Sequence, residues 1–359
     1  TSIFMKILMN HMQLITLTAS FNFSWPEQVL SFFSAVKPAS SASTQVLSVD
    51  GFLGGSSNVT AEETEEGMKV FWQKMIMYAL MPFLLALVSY IVWWVHSAYK
   101  KYEMPYGKTI STLVILLFLV HPNIVEYMFN GFYCIDIDGE PRIREDLRVV
   151  CWQTEHKLYG FMLALPSIVV WGLGIPFFAF TLLTRERETL DKLATKEKFG
   201  FLYNGYKKDF YYWEIVIMYR KIAIIFIAVF ISSSGVITQA LIVFLLLIIF
   251  IVINLKKAPF MTVVLNDLET LSMVTSMVTV YCGLFYISNT PQKYIDDYPE
   301  LSTTALQLSV FAQLILFFII IFVNVLFISY WLYHMFLEIK NKFRKKAEKL
   351  YLWIFLCGN

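Results

Sequence analysis

Apolar residues along this chain gather into runs of about 20 positions separated by polar segments, the length an α-helix needs to cross a bilayer. Such runs lie near 72–96, 109–130, 159–183, 213–233, 236–255, 267–289 and 306–336. An eighth, at 3–23, is interrupted by Lys6, His11 and Gln13. The pattern predicts an all-α fold, a polytopic helical membrane bundle of about eight spans. Trp72, Trp93, Trp94, Trp213 and Trp331 fall near predicted span ends, where amphipathic rings settle at headgroup level. The segmentation gives residues 1–71 as a first span plus outer loop, 72–338 as a seven-helix bundle, and 339–359 as a basic tail.

Lysine and arginine set the orientation. With the first span starting inside, segments 1–8, 97–108, 184–212, 254–265 and 337–359 hold 19 of them, against 8 in the outer segments. That bias puts the N- and C-termini of this sequence on the cytoplasmic side. Asn58-Val59-Thr60, a glycosylation sequon, sits in the predicted outer loop and agrees. Cys134 and Cys151 bracket a second polar outer loop, and a disulfide between them would staple it; two unrelated thiols are the alternative. In the first outer loop, Trp25-Pro26-Glu27 reads as the start of a short amphipathic helix through Phe33. The inner stretch Phe199-Gly200-Phe201-Leu202-Tyr203-Asn204-Gly205-Tyr206 is too apolar for a loop wholly in water. It is expected to fold back against the inner membrane face or the helix bundle, with Lys207 and Lys208 toward lipid phosphates.

Composition removes whole classes of function. Hydrophobic residues make up 57% and charged residues 16%, against about 25% charged in soluble chains, so little is left for a soluble catalytic domain. Neither an HExxH, a GxSxG nor a P-loop pattern occurs, and no Cys/His spacing suits zinc. The sequence points away from an enzyme and from a nucleic-acid partner. Membrane lipids are the expected ligands, with a cation as the further candidate.

Polar residues inside the spans are the candidate chemistry, because an ionisable group at the helix centre costs at least about 2.5–3.5 kcal/mol. The third predicted helix carries His121-Pro122-Asn123 and Glu126, a proline-kinked group that either lines an ion path or forms a structural hydrogen-bond cluster. Arg220 and Lys221, about two turns into the fifth, either snorkel to the inner face or pair with Glu126 or Glu269. The seventh begins with Asp267 and Glu269, and Ser272, Thr275 and Thr279 then form a hydroxyl stripe. Such a stripe packs helices closely or wets a pore, and Asp267 is a candidate helix cap.

Several of these residues together resemble a family. They are Trp213-Glu214 with Arg220-Lys221, the 199–206 stretch before them, Pro259, Asn266 with Glu269, and Thr279 with Gly283. Lys6, Asn10, Gln13 and Trp25-Pro26 belong to the same set. The arrangement resembles the transmembrane region of TRP-like membrane proteins of protists and algae. The resemblance implies a Cys-rich or EGF-like ectodomain upstream, one further span joining it, and channel-like cation transport. Gly51 departs from the pattern, standing where a cysteine is expected.

Three functions follow: channel-like transport, a membrane anchor or structural subunit, and a receptor or sensor. The polar link near 290–305 has no Gly-rich filter, and no span repeats arginine as a voltage sensor does. Both features speak against a voltage-gated channel and a standard TRP pore, and leave an ion path inside one subunit as the channel reading. A homo-oligomer or a subunit of a larger membrane assembly, in a plasma or ciliary membrane, is the expected setting.

Overall fold

A computed structural model describes residues 2–19, 21, 23–40, 70–231, 234–287 and 309–357. It is mostly helical: α1 (Ser2–Ala19), α2 (Glu27–Ser40), α3 (Val70–Lys100), α4 (Tyr106–Asn130), α5 (Thr154–Arg185), α6 (Leu193–Tyr203), α7 (Trp213–Phe230), α8 (Val236–Lys257), α9 (Val263–Tyr286) and α10 (Val310–Cys357). The helices form two compact units, Thr1–Ser40 with Gly235–Asn359, and Ser41–Ser234. The glycosylation candidate Asn58 and the polar link near 290–305 lie outside the described residues.

Among the described residues six helices are long and apolar enough to cross a membrane: α3, α4, α5, α8, α9 and the stretch Phe311–Arg344 of α10. The other two predicted spans are also helices, α1 and α7, each of 18 residues. At 1.5 Å per residue each reaches about 27 Å, close to the hydrocarbon thickness of about 30 Å. Their composition sets them apart, through Lys6, Asn10, His11 and Gln13 in α1 and Glu214, Arg220 and Lys221 in α7. All seven of these side chains are buried. The polar positions that weaken both signals therefore face protein.

Among the described residues the departure from an all-α fold is a sheet between α4 and α5. Strands β1 (Cys134–Ile137), β2 (Glu140–Ile143) and β3 (Asp146–Val150) form an antiparallel sheet in that order. Cys134 pairs with Ile143 and Ile137 with Glu140, leaving Asp138-Gly139 as a two-residue turn. Both turn residues have positive φ, 53° and 82°, the geometry that gives Asp-Gly its place in tight hairpins. Asp136 Oδ1 accepts the Gly139 N–H at 2.9 Å and fixes the turn. Polarity alone made this segment look like a loop; its Asp-Gly makes it a hairpin.

The first unit is built on α9, which packs against α1, α8 and α10. Helix α8 ends at Ala258 in the left-handed conformation, with its N–H bonded to the Asn254 carbonyl, and Pro259 stops the helix there. Asn266 then clasps the turn: its Oδ1 accepts the Phe260 N–H at 3.1 Å, and its Nδ2 donates to the Phe260 and Thr262 carbonyls at 3.1 and 2.9 Å. At the far end of α9, Phe23, Trp25, Phe33 and Tyr286 form an aromatic cluster. Gly283 makes room for it, since a Cβ there would lie 2.4 Å from Phe23 Cδ2 and 2.8 Å from the Trp25 ring. Gly283→Val is expected to destabilise the unit by about 1–3 kcal/mol through overpacking. Thermal melting in detergent micelles measures this, and an unchanged midpoint would mean the cluster yields freely.

In the second unit α6 folds back, as the apolar 199–206 stretch implied. Leu202 and Tyr203 of α6 join Ala179 and Leu183 of α5 and Tyr211 and Ile215 at the head of α7 in one buried cluster. Helix α5 is unevenly wound. It carries two π-helical segments, Gly160–Ala164 and Ile168–Leu173, where the Leu165 N–H reaches back to Gly160 and the Gly174 N–H to Val169. Helix α10 is continuous over 48 residues, a length of about 72 Å.

Candidate functional site: the buried polar cores

Five candidate residues belong to the first unit: Asp267, Glu269, Ser272, Thr275 and Thr279. They share α9, and spacing of three and four puts the last four on one face. That face is buried, with Glu269, Ser272, Thr275 and Thr279 each no more than 1% exposed. Ser272 Oγ lies 3.1 Å from His11 Nδ1 of α1. Ser276 and Thr279 donate to the Ser272 and Thr275 carbonyls one turn back, at 3.1 and 2.8 Å. Thr275 reaches the Val323 carbonyl of α10 at 3.5 Å. Asp267 differs, being exposed in the second turn; Thr262 holds the N-cap position, so Asp267 is not the cap.

His11 is the centre that sequence reasoning did not single out. Its ring stacks on Phe327 at 3.7 Å between centroids. Asn324, one turn before Phe327, donates to the Ile320 carbonyl at 2.8 Å. Trp331 Nε1 donates to the Phe4 carbonyl at 2.7 Å. Side chains of α9 and α10 thus hold α1 at two levels. A further polar contact joins α8 to α9, where Asn254 Nδ2 donates to Thr270 Oγ1 at 2.9 Å.

The remaining intramembrane candidates, His121, Asn123, Glu126, Arg220 and Lys221, belong to the second unit. His121 Nε2 donates to the Gly172 carbonyl at 2.9 Å. Gly172 lies in the second π segment of α5, where wider winding releases carbonyls from their usual α-helical partners. This gives His121 a structural task beside the proposed path. Asn123 and Glu126, two and five residues on, are half-buried. Arg220 and Lys221 are buried, and the Lys221 ammonium lies 5.1 Å from the centre of the Phe118 ring. Water-directed snorkelling is therefore not what holds them. Near the start of α7, Tyr206 donates to Glu214 Oε2 at 2.8 Å.

At the sheet end of the same unit, Cys134 and Cys151 form a disulfide. His156 lies beside it, and the two sulfurs and a histidine nitrogen come within 4.8 Å of one another. The group is not a metal site. The sulfurs are bonded to each other, His156 Nδ1 accepts the Trp152 N–H at 3.0 Å, and Nε2 donates to the Gly131 carbonyl at 2.9 Å. Those two bonds fix the neutral ring with its proton on Nε2. Arg148 is held by Asp146 through two hydrogen bonds, of 2.9 and 2.8 Å, which raise its pKa. In the 184–212 segment, burial and then the Asp191 charge raise the Tyr203 pKa, and its hydroxyl donates to the Leu190 carbonyl at 2.8 Å.

The chain is similar to the Cysteine repeat modular protein A of Toxoplasma gondii, with 25% identity over 357 aligned residues. The match takes in 78% of this chain and 11% of that protein, so the chain spans about a ninth of the relative's length. No family model matches the chain, and no solved structure is similar to it. The chain thus combines, among the described residues, six helices long and apolar enough to span a membrane with a distant relative in a protist that is named for its cysteine repeats.

Proposed function

We propose that this chain is the membrane module of a longer, cysteine-rich surface protein: a helical anchor in which all eight predicted spans cross the bilayer and the inner ends are cytoplasmic. The observation that carries this reading is the closed interior of the first unit. Its hydroxyl stripe is buried, and Ser276 and Thr279 spend their hydroxyls on the backbone of α9. Small hydroxyl-bearing residues used in this way bring helices close together and hold them. Similarity to a small part of a protein named for its cysteine repeats fits a membrane segment that carries a large ectodomain. A plasma or ciliary membrane and self-association belong to the same reading.

Channel-like cation transport of TRP-like type is the second reading, with Glu269, Ser272, Thr275 and Thr279 along a path in the first unit or Glu126 on one in the second. It is favoured by Arg220, Lys221 and Glu269, which are buried in otherwise apolar helices. Ionisable groups at such positions often mark ion or proton pathways. Reconstitution into liposomes separates the two. The anchor predicts chain that resists carbonate extraction and passes no more Na⁺, K⁺ or Ca²⁺ than empty liposomes do. Flux that falls in Glu126→Gln or Glu269→Gln would overturn the anchor in favour of the channel. Chain released by carbonate would overturn both.

A further inference from the structure

Up-and-down order brings one end of α3, the start of α4, the end of α5, and α6 to the same end of the second unit. Residues 99–108 and 192–198 there hold six lysines, Lys100, Lys101, Lys108, Lys192, Lys196 and Lys198, against two glutamates, Glu103 and Glu197. Helix α6 joins the two groups into one face. Its Phe201 meets Phe118 of α4 edge-on, and Glu197 packs so close to Gly107 that a Cβ there would lie 3.0 Å from the carboxyl carbon.

Two properties distinguish this face. Among the described residues none of the six lysines makes an ion pair, and Lys108 lies 5.7 Å from the centre of the Trp93 ring. At the sheet end of the same unit the arginines are engaged: Arg142 by Glu140 at 2.6 Å, Arg148 by Asp146 at 2.8 Å, and Arg144 over Tyr133 at 5.0 Å. The basic face also exposes large apolar side chains between its charges, Tyr99 at 84%, Leu193 at 81% and Tyr106 at 68%. A soluble acidic partner would satisfy the lysines and leave Leu193 and the tyrosine rings in water. An environment that is apolar a few ångströms from phosphate satisfies both, and the headgroup boundary of a bilayer is one.

We propose that the 99–108 corner and the first turn of α6 form a binding face for anionic phospholipid, with Tyr99, Tyr106 and Leu193 in the acyl boundary and the lysines on headgroup phosphate. The proposal depends on neither functional reading, because an anchor and a channel would each present this face to the membrane. It adds a selective lipid contact to either.

Purified full chain in uncharged detergent, titrated with fluorescent short-chain phosphatidylserine and phosphatidylcholine, tests it. The wild type is expected to prefer phosphatidylserine. Lys100→Gln with Lys101→Gln and Lys108→Gln, or separately Lys192→Gln with Lys196→Gln, should weaken that binding by about fivefold per lysine. Arg144→Gln with Lys157→Gln removes two positive charges at the opposite end and should leave it unchanged. Leu193→Ser should also weaken phosphatidylserine binding. Equal binding of the two lipids, an equal loss in the sheet-end variant, or a polyglutamate peptide bound as tightly as phosphatidylserine would each overturn the proposal. The two lysine sets are independent, so a folding defect in one, read as lost helical circular dichroism, leaves the other to decide.

Discussion

Trp72→Ala is expected to destabilise the second unit by about 3–5 kcal/mol, the range for truncating a large buried aromatic. Trp72 is fully buried in the first turn of α3. Its ring stacks on Tyr159 at 4.5 Å and meets Phe71 edge-on at 5.0 Å. Its Nε1 donates to Glu155 Oε1 at 2.8 Å, so one residue joins the start of α3 to the start of α5 by ring contact and by charge-assisted hydrogen bond. Trp72→Phe keeps most of the ring area and loses the donor, which should cost about 1.5–3 kcal/mol. Denaturation in mixed micelles, followed by tryptophan fluorescence and by helical circular dichroism, ranks the two variants. A loss in Trp72→Ala no larger than in Trp72→Phe would mean that packing at this joint contributes little.

Replacing both bridged cysteines, Cys134→Ser with Cys151→Ser, is the second large effect. The bridge closes a loop of 17 positions around the whole sheet, for which loop-closure entropy gives about 3 kcal/mol. The loss should be local, because the disulfide ties β1 to the chain just after β3 and leaves the helices on either side unbridged. The sheet is small, three strands of four or five residues, and so short a sheet is marginal without a staple. Trypsin is expected to cut the variant at Arg142, Arg144 and Arg148 at least about tenfold faster than wild type, while helical content stays constant. Equal cleavage rates would show that the Asp-Gly turn and strand pairing hold the sheet alone.

Legibility in the sequence followed the direction of burial. Six predicted spans reappear as helices long and apolar enough to cross a membrane, and averaging over a window detects such helices well. The same averaging discards direction, which is why α1 reads weakly while the more apolar α7 reads as a span. Lys6, Asn10, His11 and Gln13 lower the mean of α1 although every one of them is buried in protein. The cysteine pair was legible because its loop was polar and bounded. The sheet inside that loop is equally legible in Asp138-Gly139, a turn signal that polarity alone does not register. His11 with Ser272 was not legible, since 261 positions separate them and no local pattern brings them together. For the hydroxyl stripe the sequence left close packing and a wet lining equally open, because spacing is the same in both. In the structure Ser276 and Thr279 donate to the backbone of α9, the observation on which the proposed anchor rests. The TRP-like resemblance rests on residues that now have physical tasks of their own: Asn266 clasps a turn and Gly283 seats an aromatic cluster. Such tasks belong to any helical bundle of this layout, and this is why those residues say little about ion conduction.

The π segments of α5 carry a consequence for comparing chains of this kind. Each is equivalent to one residue added to a regular helix, and it delays everything after it by a turn of about 100°. A relative one residue shorter at 160–164 or 168–173 would simply wind that stretch as α-helix. The face it presents further along would stay in register, although the Gly172 carbonyl would no longer wait for His121. The same deletion elsewhere in α5 would rotate Pro176, Ala179 and Leu183 out of the interior they now occupy. A single-residue gap inside this span is therefore a difference in winding, to be kept when sequences are aligned and not smoothed into the neighbouring loops.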